Sequence, residues 1–223
     1  MATFLELRNL TAYWLDDLNM TYFTPTQINR WLNNAQTETQ KILLQAHNNF
    51  YVTPVQTTLV VNQNDYVLPI DFLTLHRLEI VLTGSPPNED CMPVAPVTLN
   101  QQDLVPARTG TPQFYFLKKN RIRVLPAPDT ALTLRMHYSY LVSDMVLDTD
   151  SPDVPPAYHE LISVLAALDG LLKDGRNPEL MLSKREYYEA LLREEVQDRA
   201  EDAPRGIIST GNSGGGGEMF GYF

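Results

Sequence analysis

Between Tyr158 and Leu172 the chain is apolar at almost every position, and no other stretch limits the available folds as tightly. Tyr158, Leu161, Ile162, Leu165, Leu168 and Leu172 recur at helical spacing. Val164, Ala166, Ala167 and Leu171 widen that stripe until only Glu160, Ser163 and Asp169 interrupt it. A helix this apolar must be covered on most sides, so other elements have to pack around it. Pro155-Pro156 suits its first turn, where a missing N–H costs nothing, and Gly175 is placed to end it in a left-handed cap. Asn177-Pro178-Glu179 then restarts a helix with a capping side chain, Pro at the first position and an acid near the positive end of the dipole. Leu180, Met181, Tyr187, Tyr188, Leu191, Leu192 and Val196 are read as the packed face of that second helix, which should lie antiparallel to the first.

The N-terminal part has the same period. Phe4, Leu7, Thr11, Trp14, Leu15 and Leu18 form one helical face, and Asp16-Asp17 with Asn19 is read as loosening its end. Thr24-Pro25-Thr26-Gln27 has the form of a capping box, and Ile28, Trp31, Leu32, Ala35, Ile42, Leu43 and Ala46 keep helical period after it. The opposite face carries amides, Asn29, Asn33, Asn34, Gln36, Gln40 and Gln45. It is read as a solvated polar face, with a subunit contact made by amide hydrogen bonds as the sharper alternative.

From Tyr51 the grammar changes to alternation punctuated by turn clusters. Residues 55–61 and 66–69 read as a hairpin, 75–82 as a strand ended by Gly84-Ser85-Pro86-Pro87, and 83–112 as a long loop with one short strand at 92–97. Residues 113–117, 121–125 and 132–141 complete the strands, with Lys119-Asn120 as a hairpin turn and Pro126-Ala127-Pro128-Asp129 as a corner. The expected class is α+β. A helical bundle from residues 1–50 and 154–202 is interrupted by an antiparallel β barrel or sandwich at 51–153, and residues 203–223 form an extended Gly-rich arm.

The order of several loose motifs resembles a known family. Tyr66-x-Leu68-Pro69 is followed by Pro112-x-Phe114-Tyr115-Phe116, Ile122-x-Val124-x-Pro126-x-Pro128, Tyr138 and Asp150-x-Pro152-x-x-Pro155-x-x-Tyr158-His159. This succession is similar to the head-to-tail adaptor (connector, head-completion) proteins of tailed bacteriophages, including the tail tubular protein A type of short-tailed phages. The resemblance implies a structural, non-enzymatic protein of the virion head–tail interface, assembled in the host cytoplasm. It implies a homo-oligomeric ring, commonly of twelve copies, that binds the portal protein and tail or nozzle proteins while DNA passes through without specific binding. A tail-completion or tail-terminator protein is the nearest alternative, and a small hydrolase built on Asp, His and Ser is the distant one.

Composition fits this picture. With 27 acids against 17 bases the net charge is −10, a poor balance for tight nucleic-acid binding through phosphates. The first residues lack a secretory pattern, so synthesis in the cytosol is expected. The single Cys91 excludes an internal disulfide. The acidic cluster Asp144, Asp148, Asp150 and Asp153 lacks the Gly and Glu of a calcium loop and is read as capped and solvated. His47, His76, His137 and His159 are scattered, so neither metal nor cofactor is expected, although His137 or His159 beside a carboxylate in a pocket would favour the hydrolase.

The sites expected to matter are for partners. After Ala203 come seven of the eleven Gly residues, and Gly214 to Gly217 are followed by Glu218-Met219-Phe220-Gly221-Tyr222-Phe223. A Gly spacer that delivers large apolar side chains reads as a tether with an anchor, so Met219, Phe220, Tyr222 and Phe223, with Arg205, Ile207 and Ile208 upstream, are the candidate partner-binding residues. Glu194, Glu195, Asp198, Glu201 and Asp202 are candidates for lining a channel, where acids would repel DNA phosphates.

Overall fold

The computed structural model describes residues 1–85, 88–101 and 108–201, with side chains described for all of these except 85, 88 and 195–201. Among the described residues four α-helices and eight strands follow in the order α1 (Phe4–Trp14), α2 (Pro25–Ala46), β1 (Val52–Thr58), β2 (Asp65–Val67), β3 (Phe72–Ser85), β4 (Asn88–Pro93), β5 (Ala95–Pro96), β6 (Phe114–Lys118), β7 (Arg121–Leu125), β8 (Thr133–Tyr140), α3 (His159–Asp174) and α4 (Glu179–Glu201). The class is mixed α+β, as expected, with helices flanking the strands in sequence.

The apolar stretch between Tyr158 and Leu172 is α3, entered through a 3₁₀ turn at Pro156–Tyr158. It contacts each of the other three helices, and eleven of its residues are buried. Gly175 ends it at φ 68°, and the Asn177 side chain accepts the Glu179 N–H at 3.0 Å to start α4. Thr24 and Gln27 close the expected capping box on α2. A second box, Thr3 with Glu6, starts α1.

The helices share one core, which includes Phe4, Leu7, Leu15, Ile28, Leu32, Leu43, Leu165 and Leu192. Beyond α1 the chain is ordered rather than loosened. The Asp17 carboxylate accepts N–H bonds from Thr21, Tyr22 and Phe23, which turn the chain into α2 and hold the acid below the usual carboxylate range.

The strands form two four-stranded sheets, in the orders β1-β8-β3-β4 and β2-β7-β6-β5, without closing a barrel. Both contribute to a second core, in which Leu78, Ile80, Leu134 and Met136 of the first meet Tyr66, Ile122 and Val124 of the other. The expected hairpin between 55–61 and 66–69 does not form. β1 pairs instead with β8 from Val52↔Ser139 to Thr58↔Thr133, and β2 pairs with β7. The turn cluster at 62–65 carries the chain from one sheet to the other, with Asn62 at φ 63°. Local alternation records which residues face a core, but not which strand lies alongside. The Lys119-Asn120 turn does join antiparallel β6 and β7. Where a long loop was expected, β3 continues to Ser85 and pairs with β4.

The resemblance motifs turn out to be fastenings. The Tyr66 hydroxyl accepts the Val60 N–H and donates to the Gln63 carbonyl, both at 2.9 Å. Tyr138 donates to Asp71 at 3.1 Å and stacks on Phe72.

Four of the six amides on that face of α2 are bonded within the chain instead of facing water alone. Gln40 donates to the Tyr140 carbonyl at 2.6 Å and accepts the Val142 N–H at 3.2 Å. Gln36 donates to the Ser143 carbonyl at 2.8 Å, and Asn33 accepts the Met145 N–H and donates to its carbonyl. Asn29 accepts from Arg8 at 2.6 Å, while Asn34 and Gln45 remain exposed. A helix turn advances about 5.4 Å and two extended residues about 6.6 Å, so amides one turn apart meet alternate peptides of an extended segment. The run leaving β8 is thereby held along α2 as though by a neighbouring strand.

Candidate interaction surfaces

Among the described residues no group of His, Cys, Asp and Glu is arranged to hold a metal, and no helix is long and apolar enough to cross a membrane. Two of the acids at 144–153 are tied down. Asp150 accepts the Val146 and Leu147 N–H groups at 2.7 Å, and Asp148 pairs with Arg8 at 2.6 Å.

His137 does lie beside a carboxylate, 3.2 Å from Glu79. Glu79 is also 2.6 Å from Arg77 and 3.4 Å from Arg135, which in turn pairs with Glu89. Burial pushes its carboxyl up, but the His137 hydrogen bond and the charges of Arg77, His137 and Arg135 outweigh it and hold it below the usual range. This is an ion network on the face of the first sheet turned away from Leu134 and Met136, with an acid held in its charged form. His159 accepts the Ala2 N–H on Nδ1 and donates from Nε2 to the Val154 carbonyl, which fixes it as a buried, neutral strut.

Two groups of exposed apolar side chains among the described residues bear on partners. The first is α4, where the sequence reading needs correction. Successive residues of a helix point 100° apart, so the doublets Leu180-Met181, Tyr187-Tyr188 and Leu191-Leu192 cannot share one face. Met181 and Leu192 are buried, and Tyr188 packs against the helical core. Leu180, Tyr187 and Leu191 lie 62%, 60% and 40% exposed along an adjacent stripe. Lys184, at the edge of this stripe, pairs with Glu160, and Glu194 is exposed on it, whereas Arg185, Glu189 and Arg193 pair on the other side of the helix.

The second is the tip formed by the β2–β3 connection and the β6–β7 turn. Val67, Leu68, Pro69, Ile70, Phe72, Lys119 and Asn120 line an apolar depression of about 430 Å³, from which Ile70 projects fully into solvent. Lys118, Lys119 and Arg121 are exposed beside it and make no ion pair among the described residues, whereas Arg123 holds Asp65 through two bonds of 2.6 and 2.7 Å. The whole-chain charge balance hid this site. Four of the six residues from Lys118 to Arg123 are basic, a run that was readable in the sequence.

Of the candidate channel residues, Glu194 is exposed on α4. Glu195, Asp198 and Glu201 lie on the same helix, with side chains outside the described residues. Asp202, Arg205, Ile207, Ile208, Met219, Phe220, Tyr222 and Phe223 lie outside the described residues altogether.

Comparison with known families decides the assignment. A model described as SU10 adaptor protein matches residues 2–210. The chain belongs to the SU10 adaptor family. This is a family of phage head–tail adaptors, structural components of the virion, and its span takes in both cores and every described element. Residues 211–223 lie beyond the SU10 adaptor match. No curated protein matches the chain.

Proposed function

We propose that the chain assembles with copies of itself into an adaptor ring that joins the portal to the tail and lets DNA pass. The carrying observation is the SU10 adaptor match over residues 2–210. The exposed stripe Leu180, Tyr187 and Leu191 supports it, because an apolar helix face left in water suits a contact between subunits. In this reading the helices form the ring wall, the residue 51–153 unit is a separate insertion, and the arm beginning at residue 203 grips a neighbouring copy or the portal. Arg205, Ile207 and Ile208 lead the arm out, and Met219, Phe220, Tyr222 and Phe223 anchor it. Glu194, Glu195, Asp198, Glu201 and Asp202 line the channel, where their charge keeps DNA from sticking.

Native mass spectrometry of the purified chain, alone and mixed with the portal ring of the same virus, tests the reading. One added copy per portal subunit is expected, and deletion of residues 211–223 is expected to abolish docking without changing the melt. Indifference to the portal refutes it in favour of a tail-completion protein. A ring structure with the α4 acids at subunit contacts, away from the axis, refutes the channel assignment.

A further inference from the structure

The basic, apolar tip on the β unit has no task in the adaptor reading so far. Its depression of about 430 Å³ lies within the range of about 300–1,000 Å³ typical of sites that enclose a ligand. Ile70, fully exposed, and Val67, 66% exposed, form an apolar edge that folding leaves in water. Lys119 lies in the lining, and Lys118 and Arg121 face each other across the adjoining strand pair. Val67 lies opposite Arg121 on the other side, so one row across the sheet sets an apolar side chain beside two cations. An occupant should therefore carry large apolar groups and a negative charge close together.

The chain contains such a segment. Residues 218–223 combine one acid, Glu218, with Met219, Phe220, Tyr222 and Phe223, and contain no base. The stripe on α4 is a poorer match, since the base at its edge, Lys184, is already paired with Glu160 and the exposed Glu194 brings a charge of the same sign as Glu218. Reach is not limiting. From Asp202 to Glu218 an extended chain covers on the order of 50 Å, enough to cross from one small subunit to the next.

We propose that residues 218–223 of one copy seat in the depression at Val67, Leu68, Ile70 and Phe72 of a neighbouring copy, with Glu218 directed to the cations at Lys118, Lys119 and Arg121. This rests on reading the arm as an anchor and names the groove it enters. Aromatic rings fill an apolar pocket while the acid supplies orientation and a salt-sensitive on-rate, a division of labour common to peptide-binding grooves. The tether would tie the ring together through its β units as well as its helices.

The test is site-specific photo-crosslinking in the full chain. A benzoylphenylalanine replaces Tyr222, and isotopically heavy and light chains are mixed before assembly on the portal ring. The expected result is heavy–light crosslinks between the 218–223 peptide and peptides containing residues 67–72 or 119–120. Ile70→Asp should lower their yield at least tenfold, and Lys119→Glu by several-fold at low salt. Both positions are exposed, so neither change should alter the melt.

Crosslinks confined to one chain, or crosslinks on α4 that Ile70→Asp leaves unchanged, overturn the proposal. So does the absence of crosslinks combined with retention of a DNA duplex oligonucleotide that Lys119→Glu abolishes, since the cations would then serve phosphates. Portal docking of the chain lacking 211–223, measured separately, reports on the anchor itself. Intact crosslinks cannot be mistaken for intact docking.

Discussion

Replacing Gln40 by Met keeps the side chain's length and shape and removes only its hydrogen bonding. In the native structure Gln40 is fully buried, donates to Tyr140 and accepts from Val142, so the change strands a carbonyl and an N–H in the interior. Each stranded group costs about 1–3 kcal/mol, which puts the loss at about 2 kcal/mol or more. For a chain of this size that corresponds to a fall in Tm of at least about 4–8 °C. Gln36 supplies the control. It too is buried, but it donates only to Ser143, and its own Oε1 has no partner. Gln36→Met strands one carbonyl while removing one unpartnered oxygen, so the two effects nearly cancel. Urea denaturation of both variants, followed by circular dichroism with equal m-values, measures the difference. Equal losses for Gln40→Met and Gln36→Met would falsify the view that α2 acts as a surrogate strand for the segment at 140–145.

Four further outcomes are expected. At Gly175, where φ is 68° and open space surrounds the missing Cβ, Ala should cost about 1–2 kcal/mol through backbone strain alone. At Gly170 a Cβ would lie 2.6 Å from Leu15 and 3.2 Å from Trp31, so overpacking of about 1–3 kcal/mol should exceed the helix-propensity gain of about 1 kcal/mol. A double-mutant cycle with Leu15→Ala should recover part of that loss, and strict additivity refutes the clash. Burial holds His159 below its ordinary pKa, so between the folded value and about 6.5 the unfolded chain binds the extra proton. Stability should therefore rise with pH up to about 6.5 and level off above it, and His159→Gln should flatten the slope in melts across pH 5–7.5. Tyr188→Ala should cost about 2 kcal/mol or more as a core truncation, while Tyr187→Ala should stay within about 0.5 kcal/mol and weaken only self-assembly on the portal. Equal shifts in the two urea melts count against the two-faced reading of α4.

Helices were legible because their signals are local. The period of residues 158–172, the Thr24–Gln27 box and the Gly175 cap each specify structure within one or two turns. Strand positions were legible for the same reason, from alternation and turn residues. Partners were not. Whether β1 pairs with β2 or with β8 depends on segments about eighty residues apart, and the turn cluster at 62–65 looks the same whether it closes a hairpin or changes sheets. The amide face failed differently. A row of Asn and Gln side chains on a helix has the same sequence whether it meets water, another subunit or the chain's own backbone, and only the return of residues 140–145 along α2 selects the third.

The surfaces show where composition misleads. A net charge of −10 is a sum over the chain, but partners meet a local field that falls off within about 8–10 Å at physiological salt. Lys118, Lys119 and Arg121 occupy one hairpin tip, whereas the acids are spread over helices, strands and loops, several of them tied to Arg8, Arg77, Arg123, Arg135 and Arg185. Once those pairs are set aside, the unpaired charge at the tip is positive and lies beside the fully exposed Ile70. An acidic, apolar segment is the occupant proposed for this tip, and the same chain supplies one at residues 218–223. A surface and a tether that match in both polarity and charge are more economically explained as partners than as two separate exposures of apolar groups to water.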